Sequence, residues 1–283
     1  MKTVDVIALS SANDSDVELS LIRESIAQLI PGWKFNFPKK VPKSEINLAG
    51  DDSFRIKQFK AACESSADII WLLRGGYGLS RIMLEIDDVM DELDNKSKTI
   101  IGYSDATALL LHLSQNYGWS CMHGAVLTEV LNEGKDKDNF TAIQALIEGK
   151  EAPGPLNNLQ QLTDKGLHDI CGRKKTGGNL SLIANSIATP WQMNAENRVV
   201  CIEEVNEKPY AVDRNLQHLY NAEILSGAKA LVFGEMLTTE EDKTDMDWVL
   251  DDFAAKVDKE LGLPVYKAAA FGHGKVNIPF WIG

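Results

Sequence analysis

Short, continuous apolar runs separated by stretches of helical periodicity constrain this chain more than any other feature of its sequence. Strands buried on both faces of a parallel sheet need such runs, because helices cover the sheet from either side. VDVIALS (4–10) reads as the first of these strands, and DIIWLL (68–73) and KTIIGY (98–103) read as two more. After the first, Val17, Leu21, Ile22, Ile26, Leu29 and Ile30 recur on one helical face until Pro31-Gly32 stops it. Between the other two, Leu79, Ile82, Met83 and Ile86 predict a short helix. The expected fold class is therefore α/β. Loops at the carboxyl ends of the strands are where a ligand would bind.

The stretch EAPGPLNNLQQLTDKG (151–166) breaks the rhythm with prolines, glycines and amides and reads as a linker. A second unit of mixed strands and helices follows. RVVCIEE (198–204) and AKALVFGEM (228–236) are expected strands, and 212–225 and 246–261 expected helices. LPVYKAAAFGHG (263–274) is an expected strand running into a histidine between glycines. The anticipated organisation is a domain over 1–150, a linker over 151–166 and a domain over 167–283. The length of 283 residues accommodates two domains of about 100 to 200 residues each.

Charge and composition exclude several function classes. With 29 Lys and Arg against 41 Asp and Glu, the net charge of −12 argues against nucleic acid as a partner. No apolar run approaches the ~20 residues of a membrane span. The N-terminus MKTVDVIALSSANDSD has too short an apolar stretch, and too early an Asp5, for a signal peptide, so a cytoplasmic location is expected. Cys63, Cys121, Cys171 and Cys201 form no CxxC pair and read as small hydrophobes in a reducing compartment.

The most informative segment is TIIGYSDATALLLHL, in which only Ser104 and Asp105 separate a strand from a helix. Such a turn exposes a serine hydroxyl and aims the following backbone N–H groups at a developing oxyanion. Gly102 and Ala106 supply small neighbours on either side. The competing reading is that Ser104 merely caps the helix. A nucleophilic serine needs a base and an orienting carboxylate. His112 and His218 fall inside expected helices, His168 in a polar loop and His123 near a possible strand end. His273 ends the last apolar run between Gly272 and Gly274, and Glu203 and Glu204 end another. The loop Arg74-Gly75-Gly76-Tyr77-Gly78 with Ser80-Arg81 could turn N–H groups and two arginines towards a ligand. Its spacing fits neither the P-loop nor the dinucleotide fingerprint.

Taken in order, RGGYGLSR, IGYSDATALLLHL, GGNLSLI, CIEEVNEKPYAVDR and FGHGKVN resemble the LD-carboxypeptidase family of serine peptidases across residues 74–277. The resemblance implies a flavodoxin-like N-terminal domain with a nucleophile elbow, and a mixed α/β C-terminal domain carrying the rest of the triad. Carried over by position, Ser104 is the nucleophile, His273 the base and Glu203 the carboxylate. Glu204 remains the alternative carboxylate, because the family usually has Glu-Asp where this chain has Glu-Glu. The oxyanion donors are the N–H groups of Asp105 and Gly76, with Gly75 as alternate. Arg74, Arg81 and Arg214 are the candidates for holding a substrate carboxylate. No metal or cofactor is implied. The implied substrate is murein tetrapeptide, losing its terminal D-alanine during cytoplasmic peptidoglycan recycling, and the implied assembly is a homodimer. Two rivals stand beside this expectation. One is a microcin-immunity-type amidase acting on aminoacyl or peptidyl sulfamoyl or phosphoramide adenylates; the other is a non-catalytic two-lobed binding protein.

Overall fold

The computed structural model describes residues 1–93, 97–156, 159–163, 170–268 and 270–283. Its strands are β1 (Thr3–Ile7), β2 (Lys34–Asn36), β3 (Ile69–Leu72), β4 (Thr99–Gly102), β5 (Ser120–His123), β6 (Gln160–Gln161), β7 (Lys175–Asn179), β8 (Val199–Val205), β9 (Ala230–Leu237), β10 (Val265–Lys267) and β11 (Phe280–Ile282). The helices are α1 (Asp16–Leu29), α2 (Asp52–Glu64), α3 (Met83–Glu92), α4 (Thr107–Tyr117), α5 (Asp138–Ile147), α6 (Leu180–Asn185), α7 (Pro209–Asn221) and α8 (Lys243–Leu261).

The strands join in one sheet of order β2-β1-β3-β4-β5-β11-β7-β8-β9-β10-β6. Its first five strands are parallel and follow the 2-1-3-4-5 order of flavodoxin-like folds. The alternation of β1 explains why helices lie on both faces. Val4 and Val6 pack with Leu19, Ile22 and Ile26 of α1, whereas Ile7 joins the opposite core with Phe59 of α2. Each such buried aliphatic side chain contributes about 1.5 to 3 kcal/mol relative to exposure. Ser15 caps α1 by accepting from the Glu18 N–H at 3.1 Å, and Asp51 caps α2 through the Phe54 N–H at 2.7 Å.

β11 connects the two blocks of the sheet. It pairs antiparallel with β5, Phe280 opposite His123, and parallel with β7, Ile282 opposite Lys175. The PFWIG segment is thus a central strand. At its other end, β7 meets the start of α4, where the Asn179 N–H donates to Thr107 Oγ1 at 3.0 Å. Asn179 lies opposite Glu203 in β8, so this contact brings the acidic end of β8 towards the turn that carries Ser104.

Three local expectations shift. The helix expected over 212–225 begins earlier, with Pro209 in its first turn where a missing N–H is harmless, and stops at Asn221. The strand expected over 263–274 is regular only over Val265–Lys267. Beyond it Ala268 still donates to Phe233 O at 2.7 Å, and Ala270 O then accepts from Ile278 in a loop that folds back on itself. Within the expected linker, Gln160 and Gln161 form an edge strand on β10, while residues 157, 158 and 164–166 lie outside the described residues, as does His168.

Candidate active site

Ser104 sits directly beyond β4 in a single 3-10 turn with φ of +62°. That left-handed conformation costs a non-glycine residue about 1 to 3 kcal/mol and is characteristic of a residue held in place by its surroundings. Helix-capping serines instead adopt extended backbone, and the Ser104 hydroxyl caps nothing among the described residues. The turn closes only because its neighbours are small. A Cβ on Gly102 would stand 3.0 Å from Ala106 Cβ, and one on Gly75 would stand 3.3 Å from Ser104 Oγ. The glycine loop after β3 therefore lies against the serine.

His273 Nδ1 lies 2.6 Å from Glu203 Oε2. The glutamate is fully buried and the imidazole is 16% exposed, so one end of the pair is sealed and the other is reached by solvent. Burial pushes the Glu203 carboxyl up, against the opposing pull of His273. Glu204 points elsewhere: its oxygens accept from Asn179 Nδ2 at 2.8 Å and from the N–H groups of Ser181 at 2.9 Å and Val205 at 2.8 Å. A register shift between Ile202 and Glu204 accompanies this division. Adjacent residues of a strand face opposite sides, and only Glu203 reaches the histidine. The Tyr103 ring packs on the imidazole with centroids 4.7 Å apart, which brings His273 beside the residue preceding Ser104. Among the described residues Ser104 Oγ and His273 share no hydrogen bond; such contacts commonly tighten only when substrate is bound.

The glycine loop is fixed from beneath. Asp105 Oδ2 accepts from the Leu79 N–H at 2.9 Å, and buried Arg55 donates to Gly78 O at 2.7 Å and Leu9 O at 2.8 Å. Burial raises the Asp105 carboxyl, opposed by the Ser10 hydroxyl and the Leu79 N–H. Across the loop, Ser11 Oγ accepts from the Tyr77 N–H at 3.2 Å. Among the described residues no acceptor meets the N–H groups of Gly76 or Asp105.

The three arginines do not converge. Arg81 forms a two-pronged pair with Asp52 at 3.1 and 2.8 Å. Arg214 is exposed on α7, its guanidinium 5.9 Å from the Tyr210 ring centroid. Arg74 donates to Ala12 O at 3.1 Å and Asp14 Oδ1 at 3.3 Å, and it directly precedes the glycine lying against Ser104.

The family model for the LD-carboxypeptidase N-terminal domain matches residues 4–124, and that for the C-terminal domain matches 174–283. The chain belongs to the LD-carboxypeptidase family. A Rickettsia conorii protein whose name goes no further than carboxypeptidase is 38% identical over 237 residues, covering 82% of this chain and 71% of that one. The murein tetrapeptide carboxypeptidase of Pseudomonas aeruginosa is 24% identical over 291 residues, 97% of this chain and 89% of that one. The crystal structure of muramoyltetrapeptide carboxypeptidase from Oxalobacter formigenes superposes with a TM-score of 0.79 at 21% identity, covering 100% of this chain and 93% of that one. The microcin C7 self-immunity protein MccF, in complex with aspartyl sulfamoyl adenosine, shares the fold at a TM-score of 0.72 and 17% identity, over 100% and 91%.

Several polar residues around the site of this LD-carboxypeptidase fold carry no signal in the sequence. Arg55 sits in a helix of low apolar content. Lys135 sits in the charged stretch NEGKDKDN, where nothing distinguishes it from its neighbours. Glu235, whose carboxyl burial pushes up, accepts from the Gly274 N–H beside the histidine. Asn179 lies in the GGNL motif, and its partnership with Glu204 becomes visible only in three dimensions.

Proposed function

We propose that this LD-carboxypeptidase family member is a serine peptidase that hydrolyses the L,D amide joining meso-diaminopimelate to the terminal D-alanine of murein tetrapeptide, in cytoplasmic peptidoglycan recycling. The observation that carries the reading is the hydrogen bond of fully buried Glu203 to His273, whose imidazole packs on Tyr103, the residue that leads into a serine in a left-handed turn. In this reading His273, oriented by Glu203, takes the proton of Ser104 as the hydroxyl oxygen attacks the amide carbonyl, and returns it to the departing D-alanine amine. The N–H groups of Asp105 and Gly76 receive the oxyanion. Each such donor is typically worth about 100- to 1,000-fold in rate. Water then cleaves the acyl-enzyme by the same proton path. Arg74, beside the glycine loop and held to a carboxylate, among the described residues, only by one 3.3 Å contact with exposed Asp14, is the candidate for the terminal carboxylate; Arg81 is engaged by Asp52 through two bonds. The halves 1–150 and 167–283 contribute the nucleophile and the Glu-His pair respectively. The names of the Pseudomonas and Oxalobacter relatives support the substrate.

The likeness to MccF bound to aspartyl sulfamoyl adenosine favours the amidase as second reading. Incubating the protein with murein tetrapeptide and, separately, with aspartyl sulfamoyl adenosine tests the choice. D-alanine release with little sulfamoyl adenosine formed is the expected result. The reverse pattern would assign the protein to the second reading.

A further inference from the structure

A nearly buried ion pair lies outside the Ser-His-Glu set and touches two of its members' neighbourhoods. Lys135 Nζ is 2.9 Å from Glu129 Oε1, and the two side chains are 9% and 10% exposed. The same ammonium donates to the backbone carbonyl of His273 at 2.8 Å and lies 3.4 Å from the Tyr103 hydroxyl. Tyr103 donates its hydroxyl proton to Glu129 and lays its ring against the His273 imidazole. The next residue along the chain is Ser104. The flanking segment reinforces the grip, since the Asp136 N–H donates to Lys275 O at 2.9 Å and Asn139 Oδ1 accepts from the Asn277 N–H at 2.8 Å.

Sealing a lysine and a glutamate away from water carries a desolvation penalty that an apolar pair of similar volume would avoid, so stability alone is a weak account of this pair. Its contacts fit a geometrical role. One face of the network fixes the main chain of the histidine, another holds the Tyr103 ring against its imidazole, and Tyr103 leads directly into the serine.

We propose that Lys135, acting with Glu129 and Tyr103, is a positioning residue that sets the His273 imidazole in register with Ser104. The assignment rests on the serine-peptidase reading for its kinetic consequence but not for its structural one. Lys135→Met removes the ammonium, and Lys135→Met/Glu129→Gln removes both charges so that neither is left buried alone. Lys135→Arg keeps a cationic donor. On murein tetrapeptide, Lys135→Met is expected to lower kcat about 10- to 100-fold, as misplacement by about an ångström does, with KM changed less than about threefold. Lys135→Arg is expected to recover most of the loss. Independently of any substrate, the downfield proton resonance of the His273 Nδ1–H bonded to Glu203 should be present in the wild type and broadened or shifted in both Met variants. A folded double variant with that resonance unchanged overturns the proposal, as does one with wild-type kcat. Wild-type protein that releases no D-alanine would instead sink the substrate reading, leaving the resonance to decide the role of Lys135.

Discussion

His273 Nδ1 and Glu203 Oε2 stand 2.6 Å apart, although 70 residues of chain separate them. The glutamate is buried in β8 and the histidine rides on a loop after β10. The neighbouring carboxylate, Glu204, is committed to Asn179 and two backbone N–H groups. Two adjacent acids thus have different surroundings, and substituting each should have a different outcome.

Glu203→Gln keeps the shape but loses the charge that stabilises an imidazolium, so kcat should fall about 1,000- to 10,000-fold with the fold intact. Glu204→Gln should mainly lower Tm, because it weakens a buried acceptor of several N–H groups. Kinetics and thermal melts on both variants check the division; equal kinetic losses would contradict it.

Gly75→Ala introduces a methyl 3.3 Å from the Ser104 hydroxyl at a backbone without positive φ. The expected result is a folded protein with kcat reduced about 10- to 100-fold. Gly76→Ala, at φ +102° and with a Cβ that would collide with Ser11 Oγ, should chiefly destabilise. Circular dichroism melts beside turnover measurements distinguish the two.

The arginines should separate by the parameter they move. Arg74→Ala should raise KM about 10-fold or more, the usual consequence of losing a charge-assisted hydrogen bond to a carboxylate. Arg81→Ala and Arg214→Ala should leave KM near the wild-type value. A KM effect confined to Arg81 or Arg214 would move the carboxylate site away from Arg74.

Acid sensitivity should trace to His123, which is fully buried and stacks on Phe280 with centroids 4.7 Å apart. Neither ring nitrogen has a hydrogen-bond partner of good geometry among the described residues, and the Asn277 side chain only partly opposes the shift. Burial lowers its pKa from 6.5 to about 3. The unfolded chain therefore binds a proton that the folded chain refuses between these values. The associated stability is complete above pH 6.5 and is lost as pH falls towards 3, at a limit of about 1.4 kcal/mol per pH unit. His123→Phe should flatten that part of the stability profile in urea titrations.

The buried strands of the first block are legible because a parallel strand covered on both faces must be nearly all apolar, as IIWL is and as TIIG is after Thr99. The strand-to-helix junction singles out Ser104 and the flanking glycines single out His273, but the junction alone also fits a helix cap, and the proposed roles of both residues come from the family resemblance. β7 was not legible, because KTGGN carries no apolar signal and owes its place to pairing with β8. α2 escaped because the fully buried Arg55 occupies a position where a hydrophobic residue would reveal the pattern. The choice between Glu203 and Glu204 depended on a strand irregularity, and the role of Lys135 on a contact across 138 residues. Neither is encoded in local composition.

Ser104 as the nucleophile is tested most directly by D-alanine release from murein tetrapeptide by the wild type and by Ser104→Ala at matched concentrations. The alanine variant should fold with the wild-type Tm and lose at least about 1,000-fold in kcat. A folded Ser104→Ala protein that retained most of the wild-type rate would contradict the serine mechanism outright.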